Sequence, residues 1–349
     1  MTRMEIAGRH VGNDAPPFVI AEMSGNHNQS LDHALAIVDA AADAGAHALK
    51  LQTYTADTIT LDVRSERFTI RDADSLWNGE TLHDLYRKAH TPWEWHEPIM
   101  RRARDRGIIC FSSAFDETSV DFLESLEVPA YKIASFENNH LPLIRRVAST
   151  GKPLIISTGM ASIAELDEAV TAARAAGCRD LVLLKCTSNY PASPENSNLR
   201  TIPHLRDLFA CEVGLSDHTM GIGVAAAAVA FGATVIEKHV TVRRADGGVD
   251  SAFSLEPAEF RELVVETGRA WQALGSVRYG PTDAERKSLA FRRSLFLAVD
   301  LRAGDRITAD SIRVVRPGHG LHPRHLPQII GRVLTRDVKK GEPVDWDMV

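Results

Sequence analysis

A chain of 349 residues is longer than one ordinary domain and has room for a barrel of roughly 250 residues plus a small module. Hydrophobic residues make up 44% and charged residues 25% of the chain, which is typical of a globular protein and excludes a disordered one. The formal net charge of -6 argues against nucleic acid as the main partner, because nucleic-acid-binding domains are usually basic. No apolar run approaches the roughly 20 residues that cross a bilayer, so we expect no membrane partner.

The start of the chain and its cysteines both favour a cytoplasmic location. Residues 1–14 are polar and lack the apolar segment that a signal peptide needs. The cysteines, Cys110, Cys178, Cys186 and Cys211, show no Cys-x-x-Cys spacing. We interpret them as small buried hydrophobic residues in a reducing compartment.

Short apolar runs alternate with helical periodicities along the first 275 residues. Eight runs have the length and composition of buried strands, at 18–23, 48–54, 107–113, 130–135, 154–158, 181–187, 211–216 and 234–239. Eight βα units in succession predict a closed (β/α)8 TIM barrel. An open doubly wound sheet is the alternative, but no Gly-x-Gly-x-x-Gly sequence follows the first strand.

Capping residues mark several helix boundaries. Ser30 is the expected N-cap of the first helix, which ends at Gly45. A capping box at residues 162–165 opens another helix. The last helix of the barrel starts near Pro257. We expect one stripe of this helix to be buried, formed by Phe260, Leu263, Val264, Trp271 and Leu274.

Three segments depart from the βα pattern. Residues 55–80 are a long insertion after the second strand, and loops of that length are usually functional or mobile. The barrel is predicted to span residues 1–275, followed by a polar linker at 276–293 and a small β-rich domain at 294–349. This last domain contains a repeat, 300–305 and 337–342, with a glycine at each expected turn. Its core is limited, so we expect it to rest on a surface of its own or another chain.

Polar residues occupy strand positions where a structural core would carry valine or isoleucine. Lys50 and Gln52 lie two apart and face the same side of their strand. Lys132 and Lys185 lie inside two further apolar runs, and a lysine inside a barrel is costly unless an anion neutralises it. Neighbouring strands end on Ser113, Ser135 and Ser157. Together these residues predict a phosphate or carboxylate site; alternatively, the lysines point outward or pair with buried glutamates.

His218 and His239 end adjacent predicted strands, where both rings can reach one ion. Imidazole suits Mn, Fe, Co or Zn, and two histidines leave positions for water and substrate. The alternative is a pair of hydrogen-bonded core histidines. Glu22 ends the first strand and could be a third ligand, a base or a group that orients a hydroxyl. His27 on the following loop could join the site or simply fix the backbone.

The combined motifs resemble the sialic acid synthase family over nearly the whole chain. The matching stretches are 20–28 (IAEMSGNHN), 50–53 (KLQT), 131–135 (YKIAS), 157–160 (STGM), 214–218 (GLSDH) and 237–239 (EKH). The C-terminal domain, with 316–320 (RPGHG), resembles the antifreeze-like (SAF) domain of that family. Within the family, segments 76–77, 82–86, 91–96 and 320–323 are most similar to pseudaminic acid synthases.

The resemblance implies condensation of phosphoenolpyruvate with an N-acetylated amino sugar, giving a nine-carbon 2-keto sugar acid and phosphate. It implies that Glu22 manages charge or a proton, and that His218 and His239 hold Mn2+, with Mg2+ or Co2+ possible. The implied phosphoenolpyruvate ligands are Lys50, Ser113, Lys132, Ser135, Ser157 and Ser188. Relatives often carry asparagine at the position of Ser188. The implied sugar ligands are Glu137, Tyr190, Asp250 and, from the partner of a domain-swapped homodimer, Arg316.

Other functions are compatible with parts of the sequence. A Schiff-base aldolase also uses a (β/α)8 barrel and a strand lysine, here Lys132 or Lys185, but it needs no metal and leaves the histidines without a role. A carbohydrate- or ice-binding protein would account for the C-terminal domain but not for the lysines and histidines. The sugar itself is open between the precursors of pseudaminic acid, legionaminic acid and N-acetylneuraminic acid.

Overall fold

The computed structural model describes residues 4–73 and 75–349. The chain divides into two compact units, Met1–Gly275 and Ser276–Val349. The segment 276–293, predicted as a linker, falls in the second unit and contains a short 3-10 helix at Arg286–Phe291. Among the helices described, none is long and apolar enough to cross a membrane.

A β-hairpin precedes the barrel. Strands β1 (Met4–Ile6) and β2 (Arg9–Val11) pair antiparallel. Their buried side chains Met4, Ile6 and Val11 join the apolar cluster that fills the barrel interior. The sequence did not predict this hairpin, because strands of three residues are too short for their alternation to be detected.

Eight parallel strands form the closed barrel. They are β3 (Phe18–Glu22), β4 (Ala48–Thr53), β5 (Ile109–Ala114), β6 (Tyr131–Ile133), β7 (Leu154–Ser157), β8 (Leu181–Cys186), β9 (Glu212–Asp217) and β10 (Val235–His239). Each strand pairs with the next in the chain, and β10 pairs with β3 to close the ring. The predicted TIM barrel is therefore confirmed, and an open doubly wound sheet is excluded.

Side chains on each strand alternate between the barrel interior and the outer helical layer. On β8, Leu184 belongs to the interior cluster, whereas Leu183 packs with the outer one. Lys185 follows this alternation outward, and its Nζ donates to the Cys186 carbonyl at 2.9 Å and the Thr187 hydroxyl at 3.2 Å. Lys185 therefore points outward, as the alternative interpretation held, and does not join the predicted phosphate or carboxylate site.

Helices surround the strands. They are α1 (Leu31–Asp43), α2 (Ala56–Ile59), α3 (Leu82–Ala89), α4 (His96–Asp105), α5 (Glu117–Ser125), α6 (Leu141–Ala148), α7 (Ile163–Ala175), α8 (Thr201–Phe209), α9 (Gly223–Ala230) and α10 (Pro257–Leu274). Ser30 caps α1 by accepting a hydrogen bond from the His33 amide at 3.3 Å. Ser162 and Glu165 form the predicted capping box of α7.

The buried stripe of α10 differs from its prediction at the carboxyl end. Phe260 and Leu263 are buried, but Leu274 is 49% exposed, because the last turn of the helix is open to solvent. Thr267 is buried in the same helix and donates its hydroxyl to the Leu263 carbonyl at 2.7 Å. Trp271 is half-buried, and its indole Nε1 donates to a backbone carbonyl at 3.0 Å.

The insertion at 55–80 has its own local structure. After α2, a short 3-10 helix spans Glu66–Phe68. An antiparallel bridge between Thr69 and Thr81 then closes a ribbon. Within the ribbon, the Gly79 amide donates to the Ile70 carbonyl at 2.8 Å. Thr81, which closes the ribbon, is also the N-cap of α3.

The second unit has a small core of its own. Strands β11 (Ser294–Leu297) and β12 (Ile312–Val315) pair antiparallel, and α11 (Leu326–Ile329) follows them. The core consists of aliphatic side chains and one methionine: Leu295, Leu297, Ile307, Ile312, Ile329, Leu334, Val338, Val344 and Met348.

The two copies of the internal repeat pair with each other. Leu301 and Val338 form an antiparallel bridge in which each amide donates to the other carbonyl, at 3.1 and 2.9 Å. Gly304 and Gly341 adopt positive φ values of 91° and 87°. This conformation favours glycine, so the predicted glycine turns are confirmed.

Candidate active site

A cavity of about 750 Å3 opens at the carboxyl ends of the barrel strands. Its polar lining includes Ser24, Gln52, Ser135, Glu137, Ser188, Tyr190, His239 and Asp250. Active sites of TIM barrels form at this end, where strands pass into loops. The cavity is therefore the candidate active site, and buried charged residues lie next to it inside the barrel.

Lys50 and Glu22 form a buried ion pair between adjacent strands. The Lys50 Nζ also donates to the Ser113 hydroxyl at 3.1 Å and lies 3.7 Å from Glu237. Gln52 donates to Glu22 at 3.2 Å and so links this carboxylate to the cavity wall. Burial raises the pKa of Glu22, against the opposing effect of Lys50. Burial alone would lower the pKa of Lys50, but Glu22 and Glu237 outweigh it and raise that pKa.

Lys132 reaches a carboxylate on the far side of the barrel. Its Nζ donates to both carboxylate oxygens of Glu237, at 3.0 and 3.1 Å, and Ser216 donates to the same carboxylate at 3.0 Å. Burial would raise the pKa of Glu237, but Lys132 and Lys50 outweigh it and lower the pKa to about 2. Both lysines thus point inward as predicted, and both pair with buried glutamates as the alternative interpretation held.

Four serines named from the sequence lie at this end of the barrel. Ser113 contacts a lysine as described above, and the Ser188 hydroxyl donates to that of Ser135 at 2.8 Å. Ser157 is buried, and its Oγ has no hydrogen-bond partner within the described residues. Gly159 has a φ of 48°, and a Cβ added there would lie 2.5 Å from the Ser135 Cβ. A glycine is therefore required for the serines to come this close.

His218 and His239 end adjacent strands, and their ring centroids are 5.3 Å apart. The His218 Nδ1 is 2.9 Å from the Thr187 carbonyl, which leaves its Nε2 for another partner. The His239 Nδ1 is buried without a hydrogen bond in the described part of the chain and lies 3.8 Å from the Asp250 carboxylate. Two neighbouring imidazoles, one of which carries the unpartnered buried nitrogen, fit a divalent cation.

No group of three or more His, Cys, Asp or Glu residues within 4–73 and 75–349 is arranged to hold a metal. Glu22, a candidate third ligand from the sequence, is instead bound by Lys50. The protein therefore offers two ligands at most from this set, and water or substrate would complete the coordination of an ion.

Cys186 is a site residue that the sequence interpretation missed. It is buried next to Ser188, with 3.8 Å between Sγ and Oγ. Burial would raise the pKa of its thiol, but His218, Lys132 and Ser188 together outweigh that and lower it to about 7. Burial likewise would lower the pKa of His218, whereas Cys186 raises it. Burial lowers the pKa of His239 well below its ordinary range, which favours the neutral ring that metals bind.

The three candidate sugar ligands of the barrel all line the cavity. The Tyr190 ring packs against that of His218, with centroids 4.5 Å apart. Asp250 accepts a hydrogen bond from the Ser24 hydroxyl. Burial raises the pKa of Glu137 to about 7, and its Oε2 has no hydrogen-bond partner in the part of the chain described. These groups place hydrogen-bond acceptors and donors on the wall of the cavity.

Two other candidates lie elsewhere. His27 is buried; its Nδ1 accepts from the Gln29 amide at 3.2 Å, and its Nε2 is 3.3 Å from the Thr91 hydroxyl. It fixes the backbone of its loop, as the alternative interpretation held. Arg316 directly follows β12 in the second unit and is exposed to solvent.

Three interior residues were not predicted as part of the site: Cys186, Ser216 and Glu237. Strand alternation could have found them, because each lies two or four positions from an interior residue of its own strand. On β10, for example, Val235, Glu237 and His239 share a face. The apolar neighbours of Cys186 instead favoured a purely structural role.

A closed parallel barrel whose carboxyl end holds paired lysines, serines and two histidines defines a (β/α)8-barrel enzyme. Comparison with known families matches residues 37–279 to the NeuB family and residues 292–349 to the SAF domain. The chain belongs to the NeuB family and carries a SAF domain, which confirms the resemblance to the sialic acid synthases.

Individual relatives cover nearly the whole chain. Pseudaminic acid synthase of Campylobacter jejuni subsp. jejuni serotype O:2 is 41% identical over 335 residues, 95% of this chain and 97% of that protein. N,N'-diacetyllegionaminic acid synthase of Legionella pneumophila is 37% identical over 347 residues, 97% of this chain and 96% of that protein. The crystal structure of the N-acetylneuraminic acid synthetase of Leptospira borgpetersenii has a TM-score of 0.72 and 32% identity, covering 82% of this chain and 95% of that one.

Proposed function

We propose that this enzyme is a pseudaminic acid synthase, condensing phosphoenolpyruvate with 2,4-diacetamido-2,4,6-trideoxy-L-altrose. The products would be a nine-carbon 2-keto sugar acid and phosphate, released by C–O cleavage. The observation that carries this proposal is the convergence of Lys50 and Lys132 with His218 and His239 at one barrel mouth. The identity of 41% to the Campylobacter pseudaminic acid synthase supports this choice of sugar.

We assign phosphoenolpyruvate to the lysines and serines of the barrel. Lys50 and Lys132 would neutralise its phosphate and carboxylate, and the hydroxyls of Ser113, Ser135, Ser157 and Ser188 would donate hydrogen bonds. The unpartnered Ser157 hydroxyl supports this assignment, because a buried hydroxyl without a partner is costly unless a ligand satisfies it. Its donor would be supplied to an anion without breaking an existing bond.

We assign a divalent cation, Mn2+ with Mg2+ or Co2+ as alternatives, to His218 and His239. A bound cation would supply Lewis-acid polarisation of the sugar aldehyde. The unpartnered Nδ1 of His239 supports this assignment. Tyr190, Glu137 and Asp250 would hold the open-chain sugar beside the histidines.

The reaction forms one C–C bond and one C–O bond from water, and it breaks the C–O bond to phosphate. The enol carbon of phosphoenolpyruvate attacks the aldehyde carbon, whose oxygen takes up a proton and becomes a hydroxyl, and positive charge develops at C2 of the former phosphoenolpyruvate. Water adds at C2 and loses one proton; the resulting C2 hydroxyl loses its proton to become the keto oxygen as phosphate leaves with the bridging oxygen. Lys50 and Gln52 hold Glu22 beside the cavity. There the Glu22 carboxylate would stabilise the positive charge that develops at C2 or accept the proton that the water loses.

We propose further that the active enzyme is a domain-swapped homodimer in the cytoplasm. The exposed Arg316 would then contact the acyl group of sugar bound in the partner subunit. The free cysteines are consistent with a reducing location.

Phosphate release tests the proposed function. The enzyme would be incubated with phosphoenolpyruvate and each of three sugars, namely the L-altro sugar, its legionaminic acid counterpart and N-acetylmannosamine, with and without Mn2+. We expect metal-dependent release that is fastest with the L-altro sugar. Preference for the second sugar would favour a legionaminic acid synthase, and release with none of the three would refute the function.

A further inference from the structure

Ser24 has a backbone conformation that serine rarely adopts. It lies two residues after the end of β3 and has a φ of 49°, in the left-handed region where a Cβ meets steric repulsion. Glycine occupies this region freely, and Asn28, which also adopts it, is of a residue type enriched there. Serine therefore costs free energy at this position, and such strain is typical of functional sites.

The contacts of Ser24 link two carboxylates of the site. Ser24 is buried and lines the cavity. Its hydroxyl donates to the Asp250 carboxylate and accepts from the Gln52 Nε2 at 3.2 Å. The same Gln52 nitrogen donates to the Glu22 Oε1 at 3.2 Å, and the Ser24 backbone amide donates to that oxygen at 2.9 Å. Ser24 thus joins the carboxylate that ends β3 to the carboxylate on the loop after β10.

The backbone of Asp250 is held by other residues. The Ser254 hydroxyl donates to the Asp250 carbonyl at 2.7 Å. The Asn26 Nδ2 donates to the Val240 carbonyl and to the Ser254 hydroxyl, both at 2.8 Å. These contacts join the loops after β3 and β10 independently of Ser24. The Ser24 hydroxyl therefore fixes the direction of the Asp250 carboxylate rather than the path of its loop.

We propose that Ser24 is a positioning residue, which holds the carboxylates of Glu22 and Asp250 in a fixed arrangement for the condensation. The proposal rests on the proposed function, in which Asp250 holds the sugar and Glu22 acts at C2. Without the hydroxyl, the Asp250 carboxylate can rotate and the Gln52 amide loses an acceptor. Sugar and Glu22 are then held less precisely, which slows a reaction that depends on alignment.

Ser24→Gly separates this role from a purely structural one. Glycine relieves the left-handed strain and keeps the backbone amide that donates to Glu22, so the substitution removes only the contacts of the side chain. We expect kcat with the L-altro sugar to fall by roughly 10-fold to 100-fold, whereas the KM for phosphoenolpyruvate should not change. Ser24→Ala should show the same kinetic loss, but it should unfold at a lower urea concentration than Ser24→Gly, because alanine keeps the strain.

Ala210→Gly is the matched control. Ala210 also has a left-handed φ, of 46°, but it lies at the carboxyl end of α8 and does not line the cavity. This substitution should leave kcat unchanged. A double-mutant cycle with Asp250→Ala tests whether Ser24 acts through Asp250. In that background, Ser24→Gly should lower kcat by no more than about 3-fold, because the partner of the hydroxyl is already absent.

Two outcomes would overturn the Ser24 proposal while the proposed function stands. One is a wild-type kcat in Ser24→Gly, and the other is an equal loss of kcat with and without Asp250→Ala. A purely structural role for Ser24 predicts the first of these outcomes, because glycine suits the backbone better than serine does. Absence of phosphate release by the wild type with all three sugars would instead overturn the proposed function, and the Ser24 proposal with it.

Discussion

Lys132 and Glu237 meet across the interior of the barrel. Their strands, β6 and β10, are separated by four steps in either direction around the ring of eight. The Lys132 Nζ nevertheless lies 3.0 Å from the Glu237 Oε1. Lys50 and Glu22 form a second pair nearby, so two buried cations are balanced by two buried carboxylates. This charge balance keeps the lysines in place in the protein without a bound ligand.

Removing the charge of Glu237 should destabilise the fold. Glu237→Gln leaves Lys132 with an uncharged partner, and breaking a buried pair costs roughly 3–5 kcal/mol. We expect a loss of about that size in the free energy of unfolding, measured by urea denaturation. Glu97→Gln is the control, since it breaks an exposed pair with Arg101 and should cost less than about 1 kcal/mol. Equal effects of the two substitutions would contradict this account of the interior.

Glu22 is predicted to act in turnover rather than in binding. Glu22→Gln keeps an acceptor for Lys50 but removes the charge and the proton acceptor, so kcat should fall by roughly 100-fold to 10,000-fold. Binding of phosphoenolpyruvate and Mn2+, measured by calorimetry, should stay near the wild-type values. Full activity of this variant would rule out the role.

Asp217 and Lys238 are predicted to position the two histidines. They form a buried ion pair at 2.7 Å on the outer side of β9 and β10, each adjacent in sequence to His218 or His239. Asp217→Asn should weaken Mn2+ binding by roughly 10-fold to 100-fold, as is typical when support for metal ligands is lost. Calorimetry with Mn2+ measures this directly. Wild-type affinity in a folded Asp217→Asn protein would show that the pair supports stability only.

Gly159 should be intolerant of any side chain. Gly159→Ala adds a Cβ that would lie 2.5 Å from the Ser135 Cβ, so it should displace the serines and raise the KM for phosphoenolpyruvate by roughly 100-fold. Gly151→Ala is the matched control, because Gly151 also has a positive φ but no atom within 4 Å of the added Cβ. It should lower stability by roughly 1–2 kcal/mol, the cost of a Cβ in the left-handed region, and leave the KM unchanged. A similar KM in both variants would contradict the packing argument.

Glu137 should contribute to the pH dependence of stability. Burial raises its pKa from 4.5 to about 7, so the folded protein binds this proton more tightly than the unfolded chain does. The contribution is fully present below the unfolded pKa and is lost as the pH rises through about 7. Between about pH 5 and about pH 8, the wild type should therefore lose more unfolding free energy than Glu137→Gln does. Parallel pH profiles of the two proteins would exclude a raised pKa.

The barrel could be predicted from the sequence because its signals are local and repeated. Eight apolar runs separated by helical patterns define the strand order without any knowledge of distant contacts. Side-chain direction was harder: Lys185 lies in an apolar run like that of Lys132, and only the alternation on its own strand shows that it points outward. Strict use of this alternation would also have found Cys186.

The partners of the lysines could not be predicted in the same way. Glu237 and Lys132 lie 105 positions apart, and they meet only because the closed barrel brings opposite strands within reach of one side chain. The apolar face of α3 presents the same difficulty. Its residues at 82, 85, 86 and 89 are visible in the sequence, but their pattern does not say whether the face packs on the core or lines the cavity, as it does.

The fate of the bridging oxygen of phosphoenolpyruvate tests the proposed function most directly. Phosphoenolpyruvate labelled with 18O at the bridging position would be incubated with the enzyme, Mn2+ and the L-altro sugar, and the products analysed by mass spectrometry. C–O cleavage predicts a nine-carbon sugar acid without label and phosphate that carries it. Label retained in the sugar acid, or no nine-carbon product at all, would contradict the account.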